Sequence, residues 1–137
     1  MECLLLDIFM VNRKGVLMRV VVTSQGPAMD SPTDPRFGRA KYLVCVDTET
    51  GEVSAVDNDI NLNAIQGAGI QTGKKIVELN AEAVITGNVG PKAFATLSAG
   101  GVPVYTGASG TVSQAVDQFK SGQLQSADSA NVEGHWI

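Results

Sequence analysis

The chain has 137 residues, enough for one domain with a substantial core and too few for two of ordinary size. Hydrophobic residues make up 44% of it and charged residues 18%, a balance that excludes a natively unfolded chain. Its formal net charge of −4 argues against nucleic acid or an anionic membrane as the principal partner.

Residues 1–17 contain Leu4, Leu5 and Leu6, then an apolar run from Ile8 to Val11, broken by Asp7 and ended by Arg13 and Lys14. That is too short to span a bilayer, and it lacks the basic leading region and small-residue cleavage site of a signal peptide. The segment reads as a poorly ordered extension, with a single α/β domain over residues 18–137. Cys3 and Cys45 form neither a metal-ligand spacing nor a disulfide framework, which fits a reducing cytoplasm.

Arg19 to Ser24 is a β-branched run and predicts a buried strand. A polar loop from Gln25 to Arg39 follows, carrying Pro27, Pro32 and Pro35; this composition allows it to stay disordered without a ligand. Tyr42–Asp47 and Glu52–Asp57 flank Thr48-Glu49-Thr50-Gly51 and predict an antiparallel hairpin. After a polar connection from Asp57 to Asn63, Ile65 to Leu79 reads as a helix. Its Gly69 and Gly73 would let it pack closely on a sheet. Ala83–Thr86 and Val102–Thr106 are strands. Between them a helix begins at Pro91, suited to a first helical position, and stops at Gly100-Gly101. Thr111 with Gln114 three residues on makes a capping box, opening a helix whose apolar stripe is Val112, Ala115, Val116 and Phe119. Alternating short strands and helices predict parallel strands joined by crossovers, in a mixed sheet with helices on its faces.

The strand exits repeat. Thr86-Gly87-Asn88-Val89-Gly90 and Thr106-Gly107-Ala108-Ser109-Gly110 are both T-G-x-x-G leading into a helix, and Thr23-Ser24-Gln25-Gly26 is a shorter relative. Singly, each glycine pair requires no more than a tight turn. Together they lie beyond the carboxyl ends of parallel strands, where ligands bind in open α/β sheets. Two helix N-termini there would aim N–H groups and the positive dipole end at an anion. Three of the ten basic residues, Arg36, Arg39 and Lys41, also fall within one short stretch, and guanidinium groups suit oxo- or thio-anions. Phe37 and Gly38 between the two arginines point to an ordered bend.

Enzyme signatures do not assemble. Gly73-Lys74-Lys75 resembles the end of a P-loop, but Ala68 stands where its first glycine belongs and Lys75 where Ser or Thr belongs. His135 is the sole histidine, so no serine or cysteine has a plausible imidazole base. As a residue near the C-terminus it reads as solvated. Asp30, Asp34, Asp47 and Asp57 could hold Mg²⁺ in a phosphate-ester hydrolase, though two of them fall in hairpin or turn contexts. Met29 is a possible soft ligand on the loop, and Cys45 reads as a buried small hydrophobe. The expectation is a binding protein with no catalytic set and no metal-ligating set of its own.

Asp34 to Ala40 (DPRFGRA) and Thr86 to Ala93 (TGNVGPKA) carry most of a resemblance that also takes in GAGIQTGKK, GVPVYTGASGTV and the tail ANVEGHW. The chain resembles the dinitrogenase iron–molybdenum cofactor biosynthesis family, and within it the orange-protein group of sulfate-reducing bacteria. That resemblance implies a ribonuclease-H-like fold, a five-stranded mixed sheet with one antiparallel strand. It also implies non-covalent binding or carriage of an anionic molybdenum–copper sulfide cluster or cofactor precursor. Such a cluster supplies its own sulfide ligands, so a cysteine motif is not needed. The resemblance places binding on Arg36, Phe37, Gly38 and Arg39; strand-end geometry extends the expected site to Ser24, Asn88, Gly90, Ser109 and Thr111. Expected partners are the cluster itself and a cofactor-accepting protein. The alternative is an interaction module for a P-loop ATPase.

Overall fold

The computed structural model describes residues 19–58 and 67–127. The expectations for the extension before residue 18, the start of the first helix at Ile65, His135 and the ANVEGHW tail lie outside the described residues.

Among the described residues six strands form one sheet: β1 (Arg19–Ser24), β2 (Tyr42–Asp47), β3 (Val53–Asp57), β4 (Ala83–Ile85), β5 (Val104–Thr106) and β6 (Gln125–Ser126), in the order β3-β2-β1-β4-β5-β6. Strands β1, β4 and β5 run parallel, as the alternating pattern predicts. β2 runs antiparallel to β1 and β3, and β6 antiparallel to β5. The sheet therefore has one strand more than the five expected, and a second strand of reversed direction. β6 is two exposed residues long. So short a polar segment carries no hydrophobic alternation by which a sequence could announce it.

Among the described residues three α-helices cover the sheet: α1 (Ala68–Glu78), α2 (Pro91–Ala99) and α3 (Val112–Lys120). Alternation along β1 decides what each meets, because successive side chains point to opposite faces. Val21 belongs with Leu43, Cys45, Ile76, Ala93 and Leu97 in the core beneath α1 and α2. Val20 and Val22 belong with Val44, Ile85, Val112, Ala115 and Val116 in the core beneath α3. A strand buried on both faces reads as a continuous apolar run, and Val20, Val21 and Val22 are each fully buried. The edge strand β3 is mostly exposed.

Local chemistry sets the element ends. The Asp47 carboxylate accepts from the N–H groups of Glu49 and Thr50 at 2.9 and 3.1 Å, closing the β2–β3 turn as a short polar side chain does. The capping box is present: Gln114 N–H donates to the Thr111 hydroxyl, and Thr111 N–H donates to the Gln114 side chain. The Arg19 guanidinium donates to the Leu79 carbonyl at 2.9 Å, a cation at the carbonyl end of α1 where the dipole favours it. One expectation is corrected. Gly69 and Gly73 face α2, not the sheet: a Cβ at Gly69 would stand 3.1 Å from that of Ala93, and one at Gly73 3.0 Å from the Thr96 methyl.

Candidate functional site

The loop after β1 folds back over the carboxyl ends of the parallel strands and is held there throughout. Gln25 N–H donates to the Pro32 carbonyl, Asp34 N–H to that of Thr23 and Asn88 N–H to that of Pro35, all within 2.9 Å. Short bridges pair Ser24 with Thr33, Pro32 with Thr111 and Arg36 with Asn88. These bonds satisfy backbone groups of the loop at several strand ends and tie it to the sheet. Beneath the loop the Thr23 and Thr86 hydroxyls, both fully buried, lie 2.9 Å apart. Thr23 is also 2.8 Å from the Asp34 carbonyl. With one proton each, Thr23 donates to the carbonyl and Thr86 donates to Thr23.

The loop ends in a 3-10 turn over Phe37–Arg39, the ordered bend that Phe37 and Gly38 suggest. Phe37 is fully buried in the core beneath α1 and α2, where it anchors the turn. Gly38 makes the tightest approach: a Cβ there would lie 2.9 Å from the Gly69 nitrogen and 3.0 Å from its Cα. No other residue fits so close to a helix backbone. Gly87 plays the same part on the other side, where a Cβ would meet the Pro35 Cα at 2.7 Å. Between these two contacts Arg36 and Arg39 remain exposed.

Two helix starts flank that turn, and only one of them, that of α2, is among the two the strand-exit repeat predicts. α1 and α2 run side by side in the same direction, Gly69 against Ala93 at their beginnings and Val77 against Gly100 at their ends. Their N-caps, Gly67 and Gly90, provide no side-chain cap. Pro91 has no N–H, so the first donors of α2 belong to Lys92 and Ala93. Parallel helices add their N-terminal partial charges, here beside Arg36, Arg39 and the exposed Lys92. The first turn of α3, by contrast, is filled by the protein itself. Val112 N–H donates to the Ser31 carbonyl at 2.9 Å and Ser113 N–H to that of Met29 at 2.8 Å. The Thr111 side chain takes the third amide. That helix start has no donor left over for an anion.

The expected site residues therefore divide. Arg36, Arg39, Asn88 and Gly90 come together with the starts of α1 and α2. Phe37 and Gly38 shape the turn from inside. The Ser24 hydroxyl is spent on Gly26, donating to its carbonyl at 2.6 Å and accepting from its N–H at 3.2 Å. Ser109 is exposed on the β5 exit, where its backbone pairs with the Gln118 side chain at 3.3 Å in both directions. Thr111 caps α3. Met29 packs partly buried against the core beneath α3. Residue-level reading has Gly87 only as part of the strand-exit repeat and misses Gly67 and Lys92. Gly67 belongs to the GAGIQTGKK block and Lys92 to TGNVGPKA, so the signal was present without a position to attach it to. A surface cavity of about 300 Å³ lies at the opposite end of the sheet, among Arg19, Cys45, Asp47, Glu52 and Ser54, and takes no part in this arrangement.

Residues 18–122 match the family described as dinitrogenase iron-molybdenum cofactor. The chain belongs to that family. Several known proteins are similar to it. The apo form of the orange protein from Desulfovibrio gigas superposes with a TM-score of 0.82 at 40% identity, covering 85% of this chain and 98% of that one. A NifB-like protein of the DUF35 family from Thermotoga superposes at 0.74 with 37% identity, covering 86% and 100%. An uncharacterized protein of Methanocaldococcus jannaschii is 26% identical over 115 residues, 82% of this chain and 93% of its own length. Both the DPRFGRA turn and the TGNVGPKA helix start fall inside the family match. Among the described residues, no helix is long and apolar enough to cross a membrane.

Proposed function

We propose that this family member binds and carries an anionic metal–sulfide cluster, of the molybdenum–copper type, where the Phe37–Arg39 turn meets the first turns of α1 and α2. The observation that carries the reading is the pairing of two parallel helix starts, neither capped by a side chain, with the exposed Arg36 and Arg39. The chemistry of the donors fits such cargo. The turn offers guanidinium groups and amides, which bind anions. Among the described residues, no three His, Cys, Asp or Glu side chains gather to hold a metal ion. A thiomolybdate bridged by copper brings its own sulfides and needs charge neutralisation and hydrogen bonds from the protein, not thiolates. In this reading Arg36, Arg39 and Lys92 supply charge, Asn88 and the α2 start supply donors, and Phe37, Gly38 and Ser24 hold the frame.

The test is an anaerobic titration of the apo-protein with tetrathiomolybdate and copper(I), followed by visible absorption and backbone amide shifts. The expected outcome is stoichiometric charge-transfer bands that survive desalting. The shifts should concentrate at Asp34–Ala40, Gly67–Ile70 and Asn88–Ala93. Colour lost on desalting, or shifts spread over the surface, would count against the proposal.

A further inference from the structure

We infer that Asp34 is a built-in counter-ion that aims Arg36 and limits how tightly the cluster is held; the inference rests on the anion-binding reading above. The Asp34 side chain is 5% exposed and that of Arg36 53%. Its Oδ1 accepts from the Arg36 N–H at 2.9 Å and lies 3.5 Å from the same residue's Nε. The carboxylate cannot wander, because its own backbone is bonded to β1 from both sides. Asp34 N–H donates to the Thr23 carbonyl at 2.9 Å, and the Thr23 hydroxyl donates to the Asp34 carbonyl at 2.8 Å.

This arrangement divides the guanidinium. Its Nε lies at ion-pair distance from Asp34, 3.5 Å from Oδ1, and no ion pair to the terminal nitrogens occurs among the described residues. An arginine biased toward a carboxylate on its Nε side presents its terminal nitrogens as a fork, which is the geometry that anions recognise. The same carboxylate opposes the anion. It is a fixed negative charge near the ligand in a partly buried setting, where screening by solvent is weak. Asp34 thus does two things with opposite effects on affinity: it orders the donor and it repels the cargo. For a carrier that must also release, the combination is useful.

The two effects separate by substitution. Asp34→Asn keeps an Oδ1 acceptor for the Arg36 N–H and removes the charge. Asp34→Ala removes both. A role confined to loop stability predicts weaker binding in each variant, in proportion to destabilisation. The counter-ion role predicts tighter binding than wild type in Asp34→Asn, and a smaller gain or a loss in Asp34→Ala.

The experiment uses the full chain loaded anaerobically with the tetrathiomolybdate–copper(I) cluster, compared with both variants by equilibrium retention and dissociation rate. The Arg36 Nε–H resonance is followed in the apo-proteins. Asp34→Asn should hold the cluster roughly three- to tenfold more tightly, through slower dissociation, as expected from loss of one nearby like charge. Asp34→Ala should bind more weakly than Asp34→Asn, with its Nε–H moved to the position of free arginine. Equal or weaker binding in folded Asp34→Asn overturns the inference. So does a wild-type Nε–H that already shifts and exchanges like free arginine, whatever the variants do. A wild-type protein that retains no cluster sinks the cluster reading instead, and the Nε–H comparison still judges whether Asp34 aims Arg36.

Discussion

Gly69 of α1 and Ala93 of α2 hold the first turns of their helices in contact: a methyl on Gly69 would stand 3.1 Å from the Ala93 Cβ. The same stretch of α1 meets Gly38 from the other side. Three segments distant in sequence therefore converge within one side chain's width, and each is small where it touches the next. Closeness brings two helix N-termini to one place, so the positive ends reinforce each other over the short range at which such charges act. The packing of small residues and the electrostatics of the site are one feature.

It follows that Gly38→Ala is costly. Its methyl would fall 2.9 Å from a helix backbone nitrogen, and backbone cannot swing aside as a long side chain does. Overpacking of this kind destabilises by about 1–3 kcal/mol. Urea unfolding should show a lower midpoint at unchanged slope, the signature of lost stability without a changed denatured state. Cluster retention should fall as well, because the turn that carries Arg36 and Arg39 must shift. A Gly38→Ala protein with wild-type midpoint would show that the turn has slack.

Salt should act on the cargo and not on the fold. Attraction between a polyanionic cluster and exposed cations is screened within about 8 Å at physiological ionic strength. Affinity should therefore drop as sodium chloride rises from low to high, and the dependence should flatten in Arg36→Ala and further in Arg36→Ala with Arg39→Ala. Equilibrium retention at several salt concentrations measures this. Equal slopes for wild type and the double variant would place the attraction elsewhere.

Much of the frame could be read from the residues. Val20–Val22 announce a strand covered on both faces, Pro91 and Gly100-Gly101 bracket a helix, and Thr111 with Gln114 marks another. These signals are local, set by neighbours within one turn. The site depends on relationships that are not local. The T-G-x-x-G repeat makes α2 and α3 look alike, yet Ser31 and Met29 carbonyls fill one start and leave the other. Nothing in the Thr106–Thr111 segment records that a loop some eighty residues earlier will dock there. Gly69 likewise reads as a contact to a sheet, because spacing reveals closeness and not the partner. Asp34 is visible as an acidic residue, but its burial beside Arg36 arises from bonds to Thr23 across the loop.

That difference between the two helix starts makes Thr111→Ala informative. Loss of the capping hydroxyl frees the Gln114 N–H and dissolves the box, at a cost of about 1 kcal/mol. Thermal unfolding should shift down accordingly. Cluster affinity should stay within twofold of wild type, since the α3 amides are bonded to the loop and do not face cargo in this reading. A large loss of affinity in a folded Thr111→Ala protein would return the β5 exit to the site.

Cys45 gives the last prediction, and its sign follows from burial. The thiol is 8% exposed, and desolvation raises its pKa above the ordinary value, with a Ser54 hydrogen bond and the Arg19 charge opposing more weakly. A raised folded value means that the native state holds the proton more firmly than the unfolded chain. This contribution to stability is complete below the unfolded thiol pKa and is lost as pH climbs through the folded one. Denaturant midpoints should thus decline in the alkaline range above the usual thiol value, and the thiol's share of the decline should vanish in Cys45→Ala. Thiolate is the reactive form, so iodoacetamide at pH 8 should modify Cys45 of the folded protein far more slowly than after unfolding in urea, with the labelled peptide identified by mass. The cavity beside it lies at the far end of the sheet from Arg36, and Cys45→Ser should accordingly retain the cluster. Loss of cluster from a folded Cys45→Ser protein would make this thiol a ligand and overturn the assignment of the sulfides to the cargo.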